Sequence, residues 1–228
     1  MKALEPNLPI IKLLITKDWQ LFEKQLAAYV VAGIVALCLL GMATPVSFYL
    51  GSLLLIIVMV AAACFSISTS LLVERKEQTL GFIMSLPVSP LDFYLAKLLG
   101  NLITFLAPFL IISLGTLAVI LLTPLPDGLV VLAVLVFGHI GLAYCFSLGM
   151  AMAVESEGWN TFVMIASMVL INPFLMGIGQ IPGFDAQFKS EQIVWSGPAI
   201  AILSAQLLLS LAILVLTGWV HSRKRSFY

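Results

Sequence analysis

Residues 129–154 read LVVLAVLVFGHIGLAYCFSLGMAMAV, with no Asp, Glu, Lys or Arg anywhere in the run. A bilayer core of about 30 Å is crossed by a helix of roughly 20 apolar residues. The run has that length, and it is far too long for a buried strand. Working outward, 123–128 (Thr-Pro-Leu-Pro-Asp-Gly) breaks the chain ahead of it, and Glu155-Ser156-Glu157-Gly158 breaks the chain behind. Pro and Gly continue a helix only at a cost, so both breaks mark helix ends. Beyond them lie five more runs of the same character, at 26–43, 50–73, 98–122, 161–181 and 199–220, with Thr44-Pro45 between the first two. The prediction is an all-α polytopic membrane protein with six transmembrane helices, forming a single membrane domain. No stretch shows the alternation of a transmembrane barrel strand.

Composition excludes the competing classes. Hydrophobic residues make up 61% of the 228 and charged residues 10%. A soluble domain has about 45–50% apolar and about 25% charged residues. Such a chain does not fit a soluble enzyme, a disordered protein or a secreted disulfide scaffold. Cys38, Cys64 and Cys145 each sit inside an apolar run and read as small hydrophobes. Lys+Arg and Asp+Glu number 11 each, which leaves no basic excess for a phosphate backbone, so no nucleic acid partner is expected.

The charges that remain orient the bundle. Lys2, Lys12, Lys17 and Lys24 precede the first span, Arg75, Lys76 and Lys97 lie between the second and third, and Arg223, Lys224 and Arg225 follow the sixth. Only Lys189 falls on the opposite side of a six-span layout. By the positive-inside rule both termini are cytoplasmic, in a multi-pass protein of the cell (inner) membrane. Residues 8–24 mix Ile10, Ile11, Leu14, Leu21 and Phe22 with Lys12, Lys17, Asp18, Gln20, Glu23 and Lys24, and Leu13, Ile15 and Trp19 widen the apolar side. This pattern predicts an amphipathic helix in the membrane interface, in contact with lipid headgroups.

The loop between spans two and three is the most informative. It runs from Glu74-Arg75-Lys76-Glu77-Gln78-Thr79-Leu80 through Gly81-Phe82-Ile83-Met84-Ser85-Leu86-Pro87 to Val88-Ser89-Pro90-Leu91-Asp92 and on to Lys97. A short helix over 76–86 would present Thr79, Leu80, Ile83, Met84 and Leu86 as one apolar face, ended by Pro87. Ser89 then suits an N-cap, Pro90 the first helical position and Asp92 the positive end of the dipole, so a new helix runs into span three. A charged and apolar helix held between two spans is suited to a protein partner.

On Glu74-Arg75-Lys76, Thr79-Leu80, Ser85-Leu86-Pro87-Val88-Ser89 and Lys97, together with the six-span layout and the interfacial amino-terminal helix, the chain resembles the ABC type-2 transporter permeases. Where that family commonly has Gly before the Thr and Glu after the Leu, this chain has Gln78 and Gly81. The resemblance implies a permease subunit of an ATP-driven exporter. It implies a coupling helix over 76–86 that docks on a separate ATPase, in two copies, with Glu74, Lys76, Glu77, Thr79, Leu80, Phe82, Ile83, Met84 and Leu86 as the coupling residues. It further implies a path formed with a second copy of the chain or with a homologous permease. No GxxxxGK[ST] occurs in the sequence. On this reading the chain performs no catalysis and carries no cofactor, and the partner ATPase binds ATP and Mg.

Two side chains inside the runs are candidates for the substrate path. His139 stands in Phe137-Gly138-His139-Ile140-Gly141, and Asn172-Pro173 interrupts span five at mid-depth. A lone imidazole reads either as a substrate or haem contact or as a neutral group bonded to another helix; it makes a poor metal site. The Pro173 break leads into 182–198, where Phe184, Phe188, Ile193 and Trp195 suit an interfacial or re-entrant segment, as the resemblance implies for this region. Two alternatives stay open. A haem-exporter-like permease of cytochrome maturation shares the layout and would give His139 a role. An ion-coupled carrier acting alone would need ionisable groups within the membrane, and the charged residues fall outside or at the ends of the runs.

Overall fold

The computed structural model describes residues 7–72, 90–154 and 156–222. They form α1 (Leu8–Gly41), α2 (Pro45–Ile67) prolonged by a π-helical turn (Ser68–Leu72), α3 (Pro90–Leu122), α4 (Leu129–Ala153), α5 (Glu157–Val169), α6 (Ile171–Gly179), α7 (Phe184–Phe188) and α8 (Gly197–Ser222). Six helices are long and apolar enough to cross a membrane, with α5 and α6 counted together as Glu157–Gly179. The chain is therefore an all-α, multi-pass membrane protein, as the six runs require.

Local chemistry explains the helix starts. Thr44 accepts a bond from the Ser47 N–H at 3.2 Å, and Ser47 Oγ accepts one from the Thr44 N–H at 3.1 Å. This reciprocal cap satisfies two of the donors that a helix start leaves open, and Pro45, at the first position, has none to satisfy. Ser156 caps α5 with a single bond, its Oγ accepting from the Trp159 N–H. Pro90 and Asp92 open α3 as expected.

Three features depart from the sequence reading. First, the stretch 8–24 is not a separate element, because α1 is one helix of 34 residues. Glu23-Lys24-Gln25-Leu26-Ala27-Ala28 contains good helix formers and neither Gly nor Pro, so nothing stops the helix there. At 1.5 Å per residue α1 is about 50 Å long, well beyond the hydrocarbon core. Second, Lys97 is not an exposed charge. It lies about two turns inside α3, on the helix expected from Pro90, and it is buried there instead of facing water with the other basic residues. Third, Phe184 is not interfacial but packs in a small core with Val131, Leu135, Ile178 and Ala199. Gly183, at φ 86°, turns the chain into α7, and the Gly128 N–H donates to the Ser190 carbonyl at 2.9 Å, tying this segment to the start of α4.

The main core lies between α1, α2, α3 and α4 and includes Ala36, Met59, Ala63, Ile67, Phe105, Ile112, Tyr144 and Leu148. The Phe105 ring stacks on Tyr144 at 3.8 Å. One end of the bundle, here called the basic end, carries Asn7, Leu72, Pro90 and Ser222. There the Asn7 N–H donates to Asp92 Oδ1 at 2.8 Å. α8 packs chiefly on α4, where Gln206 donates to the Leu135 carbonyl at 3.2 Å, and is otherwise exposed.

The α1–α2 contact depends on Gly51. A Cβ there would lie 2.7 Å from the Leu40 nitrogen and 3.0 Å from the Ala36 carbonyl oxygen, both backbone atoms with no rotamer to change. Gly51→Val is expected to destabilise the protein by about 1–3 kcal/mol through overpacking. Gly141→Val is the control, since an added Cβ there meets nothing within 4 Å. Thermal unfolding in detergent should rank the two variants clearly apart; equal midpoints would refute the packing account.

Candidate functional site: a buried polar knot at the basic end

The expected coupling residues Glu74, Lys76, Glu77, Thr79, Leu80, Phe82, Ile83, Met84 and Leu86 lie outside the described residues. The two helix ends that hold this segment are described, and a cluster of buried polar side chains lies behind them. Asp18 of α1 and Lys97 of α3 are 4% and 3% exposed. Lys97 Nζ donates to Asp18 Oδ2 at 2.9 Å. Lys17 Nζ reaches the other oxygen at 3.8 Å from the exposed side. Taking two charges out of water costs several kcal/mol per ion, about what a well-formed pair regains, so the pair contributes geometry more than stability.

One turn along α3, Asn101 is fully buried and acts as a hub. Its Nδ2 donates to Ser70 Oγ at 3.0 Å and to the Lys97 carbonyl at 2.8 Å. Its carbonyl accepts from the Tyr144 hydroxyl of α4 at 2.7 Å. Ser66 and Thr104 share a hydrogen bond at 2.9 Å beside it. The π-helical turn brings Ser70 into this position. Thr69 Oγ1 donates back to the Phe65 carbonyl at 2.7 Å, a type of bond that loosens and bends a helix, and the wider turn carries the Ser68–Leu72 backbone round by one extra residue. The knot thus joins α1, the end of α2, the start of α3 and the middle of α4.

In the sequence Asp18 and Lys97 read as surface charges and Asn101 goes unmarked, although a signal of their pairing is present. Ile11, Asp18, Phe22 and Leu26 recur at helical spacing along the buried face of α1. An acid in register with an apolar stripe is a candidate for a buried partner. Tyr94, Lys97, Asn101 and Thr104 trace the matching stripe on α3, and all are buried.

The two path candidates are placed apart from the knot. The His139 ring stacks on Phe174 of α6, with centroids 4.3 Å apart and planes within 11°. Its Nε2 is buried and has no hydrogen-bond partner among the described residues, so the expected bond to another helix is replaced by a ring stack. Among the described residues, no group of three His, Cys, Asp or Glu is placed to hold a metal ion. His139→Phe keeps the stack and removes the unpaired nitrogen. A buried polar atom without a partner carries a desolvation cost of about 1–3 kcal/mol. The variant is expected to unfold at an equal or higher temperature than the parent, and a clear loss of stability would show that Nε2 has a partner.

Asn172 is exposed at the start of α6. Span five breaks at Leu170, between α5 and α6, just ahead of the Asn172-Pro173 pair. Pro173 has no N–H to offer the Val169 carbonyl. Val169 and Leu170 are 57% and 56% exposed, so the break lies on the outer surface of this single chain. No protein-family model matches the chain, and no curated protein or solved structure matches it.

Proposed function

We propose that the chain is the permease subunit of an ATP-driven exporter of the ABC type-2 class. The observation that carries this reading is where the helix ends that flank residues 73–89 lie. These residues connect Leu72 to Pro90, which lie at the end of the bundle that also holds Asn7 and Ser222, the end that the Lys and Arg bias makes cytoplasmic. A partner ATPase, in two copies, docks on the 76–86 segment and supplies the energy from ATP and Mg bound in its own chain. This chain contributes the docking segment, the rocking helices and the wall of the path. Isolation from native membranes in mild detergent tests the reading. The protein is expected to bring with it a chain that hydrolyses ATP; isolation of this chain without such a partner, from membranes that support its activity, would refute it.

A second permease copy, or a homologous permease, completes the path. The exposed break in span five supports this. Irregular backbone and an amide at membrane depth are tolerated against protein or water, not against lipid. In a chain whose own cysteines are replaced, Asn172→Cys is expected to form a cross-linked dimer in membranes, whereas Leu208→Cys, on the exposed side of α8, is not. Absence of the Asn172→Cys cross-link, or equal cross-linking of both, would count against the break as the facing surface. The unpartnered Nε2 of His139 is the observation that favours a haem-exporter-like permease instead. Loss of export in His139→Phe with normal assembly would favour that reading.

A further inference from the structure

The buried knot has a geometry that packing alone does not require. Residues 73–89 enter from the π-helical turn and leave into α3. Ser70, on the incoming side, is bonded to Asn101, on the outgoing helix, at 3.0 Å. Asn101 is in turn bonded to the carbonyl of Lys97, and Lys97 to Asp18 of α1. The two flanks of the segment are therefore fastened to each other and, as a unit, to α1. The Asn7 N–H on Asp92 adds a second tie between the same helices, closer to their starts.

We infer that Asp18, Lys97 and Asn101 form a register lock, a set of positioning residues that make α1 follow any displacement of the 73–89 segment. This rests on the proposed function only for the source of the displacement; the lock itself is a property of this chain. The physical argument is one of slip. Two helices in contact through leucine and isoleucine side chains have several registers of similar energy, and the surrounding lipid is as apolar as those side chains. A buried ion pair has one register. Sliding α1 by one turn, about 5.4 Å, takes the carboxylate away from the Lys97 amine and parts two buried charges from each other. A buried polar residue that fixes helix register is the best-attested use of such groups. Asp18 sits eleven residues from Asn7, and the rest of α1 crosses to the far end of the bundle, so a lock at this point moves the whole outer length of the helix. Asn101 adds the condition that the incoming and outgoing flanks move together, and the Tyr144 hydroxyl on its carbonyl refers that movement to α4.

The test uses the full chain in lipid nanodiscs, alone and with its co-purified ATPase. Asp18→Leu/Lys97→Met removes the charges and keeps the bulk, so the bundle is expected to fold; Asp18→Lys/Lys97→Asp is the rescue. Spin labels at Leu21 on α1 and Leu99 on α3, both exposed, report the register. The parent is expected to give one narrow distance distribution. The apolar pair is expected to give a broadened one that includes separations about one turn, 5.4 Å, away, and the swapped pair to become narrow again. A narrow distribution in the apolar pair, equal to that of the parent, would overturn the lock whether or not an ATPase is recovered. In the complex, labels at Leu21 and Trp219 are expected to move apart or together on addition of ATP in the parent and to lose that response in the apolar pair, which still retains the ATPase. Retention of the full response would also overturn the inference. Failure to recover any ATPase would overturn the proposed function and leave the register measurement to decide the lock.

Discussion

Lys97→Ala is expected to destabilise the protein by about 3–5 kcal/mol, the range for removing one member of a buried ion pair. Asp18 is 4% exposed, so without Lys97 its carboxylate stays largely shut off from water. Lys17 stays within 3.8 Å of its outer oxygen, which places the cost toward the lower end of that range. The double change Asp18→Leu/Lys97→Met is expected to keep most of the stability, because an apolar pair of similar volume is often as stable as the ion pair or more so. The pattern to look for in thermal unfolding is a single variant well below the parent and a double variant close to it. A Lys97→Ala protein as stable as the parent would mean that the pair is not buried in the folded state.

The second large effect concerns the segment that faces the proposed partner. Phe82→Asp/Met84→Asp is expected to abolish recovery of the ATPase and, with it, export, while insertion and bundle stability remain unchanged. Apolar anchors dominate interface energy, each hot spot costing about 2 kcal/mol or more, and rim charges mainly tune the encounter rate. Two carboxylates in place of two anchors remove the attraction and add a desolvation cost. Glu74→Ala and Glu77→Ala are expected to do less. Unimpaired ATPase recovery and export in the double variant would refute the docking assignment and return weight to a carrier acting alone.

Much of the fold was legible in the residues because the bilayer imposes it. The run at 129–154 needs a helix to satisfy its backbone in hydrocarbon, and Thr44-Pro45 and 123–128 stop helices for local reasons. The continuity of α1 is hidden because 8–24 is amphipathic, and its charges suggest a boundary before the apolar run. Helix continuity depends on propensity and breakers, and none falls near Gln25. The break at Leu170 was visible through Pro173. The knot was not, because Asp18 and Lys97 are 79 residues apart and each resembles a surface charge in isolation. Only the pairing of two long parallel helices brings them together. His139 was noticed for its charge chemistry, whereas its neighbour turned out to be an aromatic ring.

The order of synthesis gives the Asp18–Lys97 pair one more consequence. The ribosome makes Asp18 first and its counter-charge 79 residues later, a delay of roughly 4–16 seconds at about 5–20 residues per second. During that interval the carboxylate has only the neighbouring, exposed Lys17 beside it and stays where water reaches both. The amino-terminal third of α1 is therefore held at the membrane surface while its apolar remainder inserts. Only the arrival of α3 lets that third settle against the bundle. The burial of Asp18 thus ties the packing of the first third of α1 to the third crossing, which carries Lys97.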